Sequence, residues 1–197
     1  GDGTVLASGS SDRSIRLWSV ARGKELVSLI GHTDQVVAVA FSEDGKIFLS
    51  AGADGTVRIW DLKNGREKYI IQTPNAMAIR TLSLSKDGET LACGEEDGTI
   101  VIWSIKDMKK NKKNATAEVL STIKNHKEAV QALELSPDGK YLASSGGDQI
   151  VVIWSIKDKE VYARLLEHEG VITDLAYSPD KRILGTASLD TTVKLML

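Results

Sequence analysis

Thr56-Val57-Arg58-Ile59-Trp60-Asp61 is one of several stretches in this 197-residue chain that end alike. Ser14-Ile15-Arg16-Leu17-Trp18, Thr99-Ile100-Val101-Ile102-Trp103 and Ile150-Val151-Val152-Ile153-Trp154 close the same way, and Thr192-Val193-Lys194-Leu195-Met196 is a copy with methionine at the end. The end positions are 42, 43, 51 and 42 residues apart. A second ladder keeps the same beat: Asp2-Gly3, Asp44-Gly45, Asp87-Gly88, Asp138-Gly139 and Asp180-Lys181. A third is the aspartate six residues before each end position, namely Asp12, Asp54, Asp97, Asp148 and Asp190. Three ladders in step mark a repeat architecture.

Within each period the local signals are those of short strands. Val36 to Phe41, Ile47 to Ser50 and Val57 to Trp60 are rich in β-branched and aromatic residues, punctuated by Gly, Asp or Asn. Asp-Gly between apolar runs suits the positive φ of tight hairpin turns. No segment keeps a 3.6-residue apolar period long enough for a helix. Ile100 to Trp103 and Val151 to Trp154 are apolar at consecutive positions, as strands covered on both faces should be. About four strands per repeat, stacked sheet on sheet, predicts an all-β propeller.

The register of the ladders resembles the WD-repeat family over essentially the whole chain. The match is carried by Gly31-His32, by the turn aspartates and by Trp60-Asp61, the one literal Trp-Asp pair. Trp18-Ser19, Trp103-Ser104, Trp154-Ser155 and Met196-Leu197 are degenerate versions. The resemblance implies a β-propeller domain over residues 1–197, with four-stranded blades in periods near 1–30, 31–73, 74–124, 125–166 and 167–197. It also implies a structural network within a blade, made of His32, Ser50, Asp54 and Trp60, then His126, Ser144, Asp148 and Trp154, then His168, Thr186 and Asp190.

Each such set contains the residue types of a nucleophilic triad. A catalytic site is built once, however, and this set recurs with the repeat. The reading is therefore structural, with buried donors and acceptors satisfying one another. In the third period Asn75 and Cys93 replace the histidine and the hydroxyl, leaving Asp97 and Trp103 without their usual partners. Met196 in the last period has no N–H to give. These two blades are expected to be softer.

Other chemistry finds no support. No phosphate-binding glycine loop, dinucleotide fingerprint, Cys-x-x-Cys or His-Glu-x-x-His occurs, so no enzyme activity, cofactor or metal is expected. Glu167-His168-Glu169 lacks a second histidine or cysteine ligand nearby. Cys93 reads as a small buried residue, and a single cysteine fits a reducing compartment. A net charge of −2 gives no global attraction to nucleic acid. No apolar stretch is long enough to cross a bilayer, and Gly1-Asp2-Gly3-Thr4 lacks the regions of a signal peptide. An intracellular protein, cytoplasmic or nuclear, is expected.

Partners should then be other proteins. The loop into the innermost strand and the next hairpin share one rim, where the family commonly recruits them. The varying positions there include Asp34, Gln35, Met77, Arg80, Glu128 and Gln131, with Glu96 just before a turn aspartate. Arg80 and Met77 have the character of interface anchors. The longer third period gathers Lys106, Lys109, Lys110, Lys112 and Lys113. They read as a solvated flexible loop or as a local site for an acidic partner or a phosphate backbone. The strand count gives about four to five blades with ragged ends, predicting part of a larger ring closed by more chain, a partner or self-association. The function expected is a non-catalytic scaffold for a multiprotein complex. The alternative is a regulatory or sensor propeller joined to a nuclease, protease or NTPase in a longer chain.

Overall fold

The computed structural model describes residues 2–110, 112 and 114–196, so Gly1, Lys113 and Leu197 named above lie outside the described residues. Every sheet is an antiparallel meander. The first contains β1 (Val5–Gly9), β2 (Ser14–Ser19) and β3 (Lys24–Ile30). The second contains β4 (Val36–Phe41), β5 (Phe48–Gly52), β6 (Thr56–Asp61) and β7 (Arg66–Gln72). The third contains β8 (Ile79–Leu84), β9 (Thr90–Glu95), β10 (Thr99–Ser104) and β11 (Glu118–Lys124). The fourth contains β12 (Val130–Leu135), β13 (Tyr141–Gly146), β14 (Val151–Ser155) and β15 (Glu160–Leu165). The fifth contains β16 (Ile172–Tyr177), β17 (Leu184–Ser188) and β18 (Val193–Met196).

The strands β4, β8, β12 and β16 run beside one another, so the sheets radiate from them as propeller blades. One face of each sheet packs on its predecessor. Phe48 and Trp60 join Ile15, Leu17 and Leu29 of the first sheet in one buried cluster. Leu91 and Trp103 join Leu49, Ile59 and Ile71 in the same way. Leu142 and Trp154 meet Ile100, Ile102 and Ile123, while Leu184 and Met196 meet Ala143 and Val151. Each fully buried aliphatic side chain contributes about 1.5–3 kcal/mol. Consecutive residues of β10, from Ile100 to Trp103, are all 2% exposed or less, because a sheet lies on either side. Val193 and Leu195 of β18, by contrast, are 72% and 70% exposed.

The turn joining the first two strands of a full blade is the Asp-Gly step. Asp44 Oδ1 accepts from Ser42 Oγ at 2.7 Å and from the Lys46 amide at 3.2 Å, while Gly45 takes φ +66°. The last copy puts Lys181 in that conformation, φ +67°, at a cost of about 1–2 kcal/mol for a residue with a Cβ. Its ammonium reaches Asp138 of the preceding blade at 3.7 Å.

The extra residues of the third period correct one expectation. Residues 106–110 are not a loose solvated loop. They form a single helical turn, α1 (Lys106–Lys109), too short to leave a periodic signature. Met108 is 3% exposed and belongs to the core shared by the second and third sheets. Lys109 Nζ donates to the Asp87 carbonyl and lies 3.2 Å from the Asp44 carboxylate. Lys106 pairs with Glu89 at 3.6 Å and Lys112 with Asp107 at 2.8 Å. A helical turn anchored this way should behave as part of the core. Met108→Ala is expected to cost about 2–4 kcal/mol, read as a lowered thermal midpoint. An unchanged midpoint would show that the turn detaches freely.

Candidate functional site

The histidine, hydroxyl and aspartate ladders converge where the innermost strand meets its neighbour. His32 precedes β4 and Asp54 follows β5, and the pairing of these strands brings Val39 opposite Ser50, so residues far apart in sequence meet in one blade. His32 Nε2 lies 2.8 Å from Ser50 Oγ, and Nδ1 lies 2.9 Å from Asp54 Oδ2. Trp60 Nε1 donates to Ser50 Oγ at 2.9 Å. The chain is fully satisfied when the neutral ring donates from Nδ1 to the carboxylate and accepts the Ser50 hydroxyl at Nε2. Burial pushes the His32 pKa down, against the pull of Asp54, which favours that neutral form. Burial also pushes Asp54 up, but hydrogen bonds from the Thr56 hydroxyl, the Thr33 amide and His32 outweigh it and hold the pKa at about 2. Arg58, 8% exposed, lies 3.6 Å from Asp54 and donates to Glu67.

The fourth and fifth sheets repeat the pattern incompletely. His126 lies 2.8 Å from Ser144 Oγ and 3.0 Å from Asp148 Oδ1. The expected bond from Trp154 is absent, since its buried indole N–H has no hydrogen-bond partner. That corrects the reading of Trp154 as a member of the network. Its neighbour Ser144 sits at 3.4 Å from the Val152 carbonyl instead. His168 lies 2.7 Å from both Thr186 Oγ1 and Asp190 Oδ2.

The third sheet uses a different solution, which sequence reasoning missed. Asn75 is exposed, and Asp97 is not left alone as expected: it accepts from the Thr99 amide at 3.0 Å and from Lys124 at 3.2 Å. Cys93 is fully buried, and burial raises its thiol pKa well above the ordinary value. Two residues beyond it stands Glu95, where the other full blades have Gly52 and Gly146. A Cβ on Gly52 would come 2.4 Å from His32 Nδ1, so the histidine and a side chain there exclude each other. Replacing the histidine by Asn75 frees the room that Glu95 needs. Glu95 is 0% exposed, and neither carboxylate oxygen has a hydrogen-bond partner. Burial raises its pKa, the nearby Thr73 hydroxyl opposes this, and the negative charge of Asp97 adds to it. The paired replacement, histidine lost and glycine filled, was the available signal. Glu134 is a second omission. It stands where β4, β8 and β16 carry Ala40, Ser83 and Ala176. Burial and the neighbouring Asp174 raise its pKa to about 6.

The rim lies above this network. Register shifts leave Val37, Arg80, Gln131 and Thr173 as the extra residue of a bulge in β4, β8, β12 and β16. Bulges re-aim side chains and collect at binding rims. Arg80 is 40% exposed at its side chain and pairs with Glu96 at 3.7 Å, across its own blade. Gln131 and Gln35 are half-buried, and Asp34, Glu96 and Glu128 are exposed. Met77 is half-buried, less open than expected, and its carbonyl lies against Gly55 of the preceding blade. Gly55 has φ +73° and a Cβ there would stand 2.9 Å from that carbonyl, so glycine is required at this crossing. The Asp34 carboxylate accepts the Gln35 amide at 2.7 Å. Among the described residues, no cluster of three or more His, Cys, Asp or Glu could hold a metal ion. No helix of the described residues is long and apolar enough to cross a membrane.

Radiating meanders with a recurrent buried hydrogen-bond network define a WD-type propeller. The sequence matches the family described as WD domain, G-beta repeat over residues 1–19, 23–61, 67–104, 117–155 and 159–195, and the chain belongs to that family. It is 36% identical to the U5 small nuclear ribonucleoprotein 40 kDa protein of Mus musculus over 186 residues, 94% of this chain and 51% of that protein. It is 27% identical over 192 residues to WD repeat-containing protein 37 of Xenopus tropicalis, covering 97% of this chain and 36% of that one. A shorter alignment, 34% identical over 87 residues, links it to Protein HIR1 of Kluyveromyces lactis, covering 36% of this chain and 10% of HIR1. The chain thus spans about half or less of the length of these relatives.

Two outcomes follow from the geometry. Trp60→Phe removes a satisfied donor and should cost about 1–3 kcal/mol more than Trp154→Phe, whose indole N–H bonds to nothing. Equal losses in denaturant unfolding would contradict this. For Glu95 the folded-state pKa lies above its ordinary value. Its contribution to stability is therefore present below the unfolded pKa and is lost as pH rises through the folded one. Glu95→Gln should flatten the decline of the unfolding midpoint between acid and neutral pH and raise stability at neutral pH. An unaltered pH profile would contradict it.

Proposed function

We propose that this chain is a non-catalytic scaffold whose rim, around Arg80 and Met77, docks other proteins in a multiprotein complex. The observation that carries the reading is the bulge in every innermost strand, which turns Arg80 and Gln131 out at the rim on a rigid sheet. Arg80 is committed only to an exposed pair with Glu96, and such pairs are worth about 1 kcal/mol or less, so a partner's carboxylate can replace it. Catalysis by the His–Ser–Asp sets is disfavoured because Ser50 is 0% exposed and its oxygen already serves His32 and Trp60. Residues 1–197 are read as one propeller domain.

The names of two relatives lend weight to assembly work in the nucleus. One is a small nuclear ribonucleoprotein component, and another, LEUNIG_HOMOLOG of Arabidopsis thaliana, is a transcriptional corepressor, 37% identical over 76 residues. We therefore place this protein inside the cell, with the nucleus favoured. Direct binding of nucleic acid through the lysine segment is disfavoured, since no aromatic residue is interleaved among the lysines of residues 106–113 to stack on bases.

The test is crosslinking and capture from the native cell with the wild type and an Arg80→Glu, Met77→Asp double variant of unchanged melting. A discrete set of proteins should be lost from the variant. Retention of the same set would move the docking surface elsewhere.

A further inference from the structure

The position that closes each blade holds an indole in the second and third sheets, where Trp60 and Trp103 are 3% and 2% exposed against the sheet before. Between the fourth and fifth sheets the same position holds Met196. A thioether fills less of that space than an indole, and a pocket of about 340 Å³ stands there, within the size range of small-ligand sites. Ile153, Leu165 and Met196 give it an aliphatic floor, and Tyr141, Tyr162 and Tyr177 stand around them, so its surface is largely apolar. It lies at the end of the strands away from the bulged rim, since Tyr177 ends β16 whereas the bulge lies at that strand's beginning.

The walls of the pocket are aromatic and its charge is of one sign. Tyr141 and Tyr162 meet with ring centroids 5.0 Å apart and planes tilted by 53°. Tyr162 is 68% exposed, so much of its ring remains open to a further ring packing against it. It stands on β15, an outer strand that pairs only with β14 and so leaves an edge of unpaired backbone groups beside the pocket. Among the described residues, the charged ones that line the pocket are Lys181 and Arg182, with no carboxylate beside them. Lys181 lies 3.7 Å from Asp138 with its side chain 49% exposed. The Arg182 guanidinium has no partner among the described residues, and only its amide is engaged, donating to Asp180 at 3.3 Å. A guanidinium in this state is a ready partner for a carboxylate, which it can hold through two parallel hydrogen bonds. Two cations make no track for a phosphate backbone, and Tyr141 and Tyr177 are too buried to offer successive stacking platforms.

We propose that this tyrosine-walled pocket takes an aromatic side chain of a partner protein, with an adjacent carboxylate of the same segment held by Arg182. The proposal rests on the scaffold reading but adds a second site, at the other end of the blades from Arg80. The test is to pan a phage-displayed random-peptide library on the folded chain, then measure the enriched peptide against variants by isothermal titration. Enriched sequences should pair an aromatic residue with a neighbouring Asp or Glu. Met196→Trp puts an indole back where the other interfaces have one, so it should fill the pocket, keep or raise the melting temperature and weaken binding about tenfold or more. Arg182→Glu should weaken binding severalfold, and Arg80→Glu should leave it unchanged. Should Met196→Trp melt early, Tyr162→Ala, at an exposed ring, replaces it. No enrichment, a consensus without an aromatic residue, a basic consensus, or binding that survives the pocket variants would overturn the proposal. So would tighter binding of oligothymidylate than of any peptide. Peptides lost with Arg80→Glu alone would overturn the pocket while supporting the rim, so the two readings fail separately.

Discussion

A thin twisted sheet that is apolar on both faces has no stable existence alone, and this constraint organises the whole chain. β6 and β10 are buried along nearly their entire length, so each needs a sheet before it and a sheet after it. The tryptophan face of one blade supplies half of each interface, and the opposite face of its predecessor supplies the rest. The sequence repeat is staggered against this packing unit. The matched stretch 23–61 runs from β3, the outer strand of the first sheet, through β4, β5 and β6 of the second. Each of the four matched stretches from 23–61 onward is thereby stitched covalently across an interface as well as packed on it.

Burying both faces also buries polar atoms near the inner end of each blade, and the chain must satisfy them. The second sheet does so completely, with Trp60, Ser50, His32 and Asp54 linked in series and Arg58 and Glu67 outside. The third sheet reaches the same packing with a different filling, Glu95 in place of the histidine, and keeps an unpartnered carboxyl as the consequence. Its aspartate is held by Lys124 from the outer strand β11 instead of by a histidine from the loop. A blade can therefore exchange its network while the stack that surrounds it stays intact, because the apolar clusters on either side are unaffected by which polar groups fill the middle.

The architecture was legible in the sequence because it depends on period. The three ladders locate every turn and every closing residue, and sheet order follows from short meanders. What was not legible depends on a single blade's departure from the average. A four-residue helix offers no periodicity to read, and Met108 is one apolar residue amid lysines, so the anchored turn looked like a loop. Asn75 was visible as a lost histidine, but the matching gain of Glu95 lay in the glycine ladder, which marks close approach rather than chemistry. Trp154 retains the expected residue and yet its N–H is unpaired, since identity at a position does not fix the rotation and depth of a ring. At the rim, variation pointed to Arg80 and Gln131, whereas the bulge that presents them is a property of register and carries no residue signature.

The same stack explains why such a chain suits holding other molecules. Its interior is repetitive and closed to solvent, with Ser50, Cys93 and Ser144 all at 2% exposure or less, so reactive groups are spent on structure. Its margins are individual: a bulged Arg80 on one rim, a lysine-bearing turn on one flank, a strained Lys181 on one hairpin. Arg80 and Lys181 lie outside the apolar clusters that hold the blades and can change without disturbing the stack, whereas α1 is tied into one of them through Met108. Specificity in this fold is therefore written in the departures from the repeat, and the third blade, which departs most, carries Arg80, Met77, Glu95, Glu96 and α1 together.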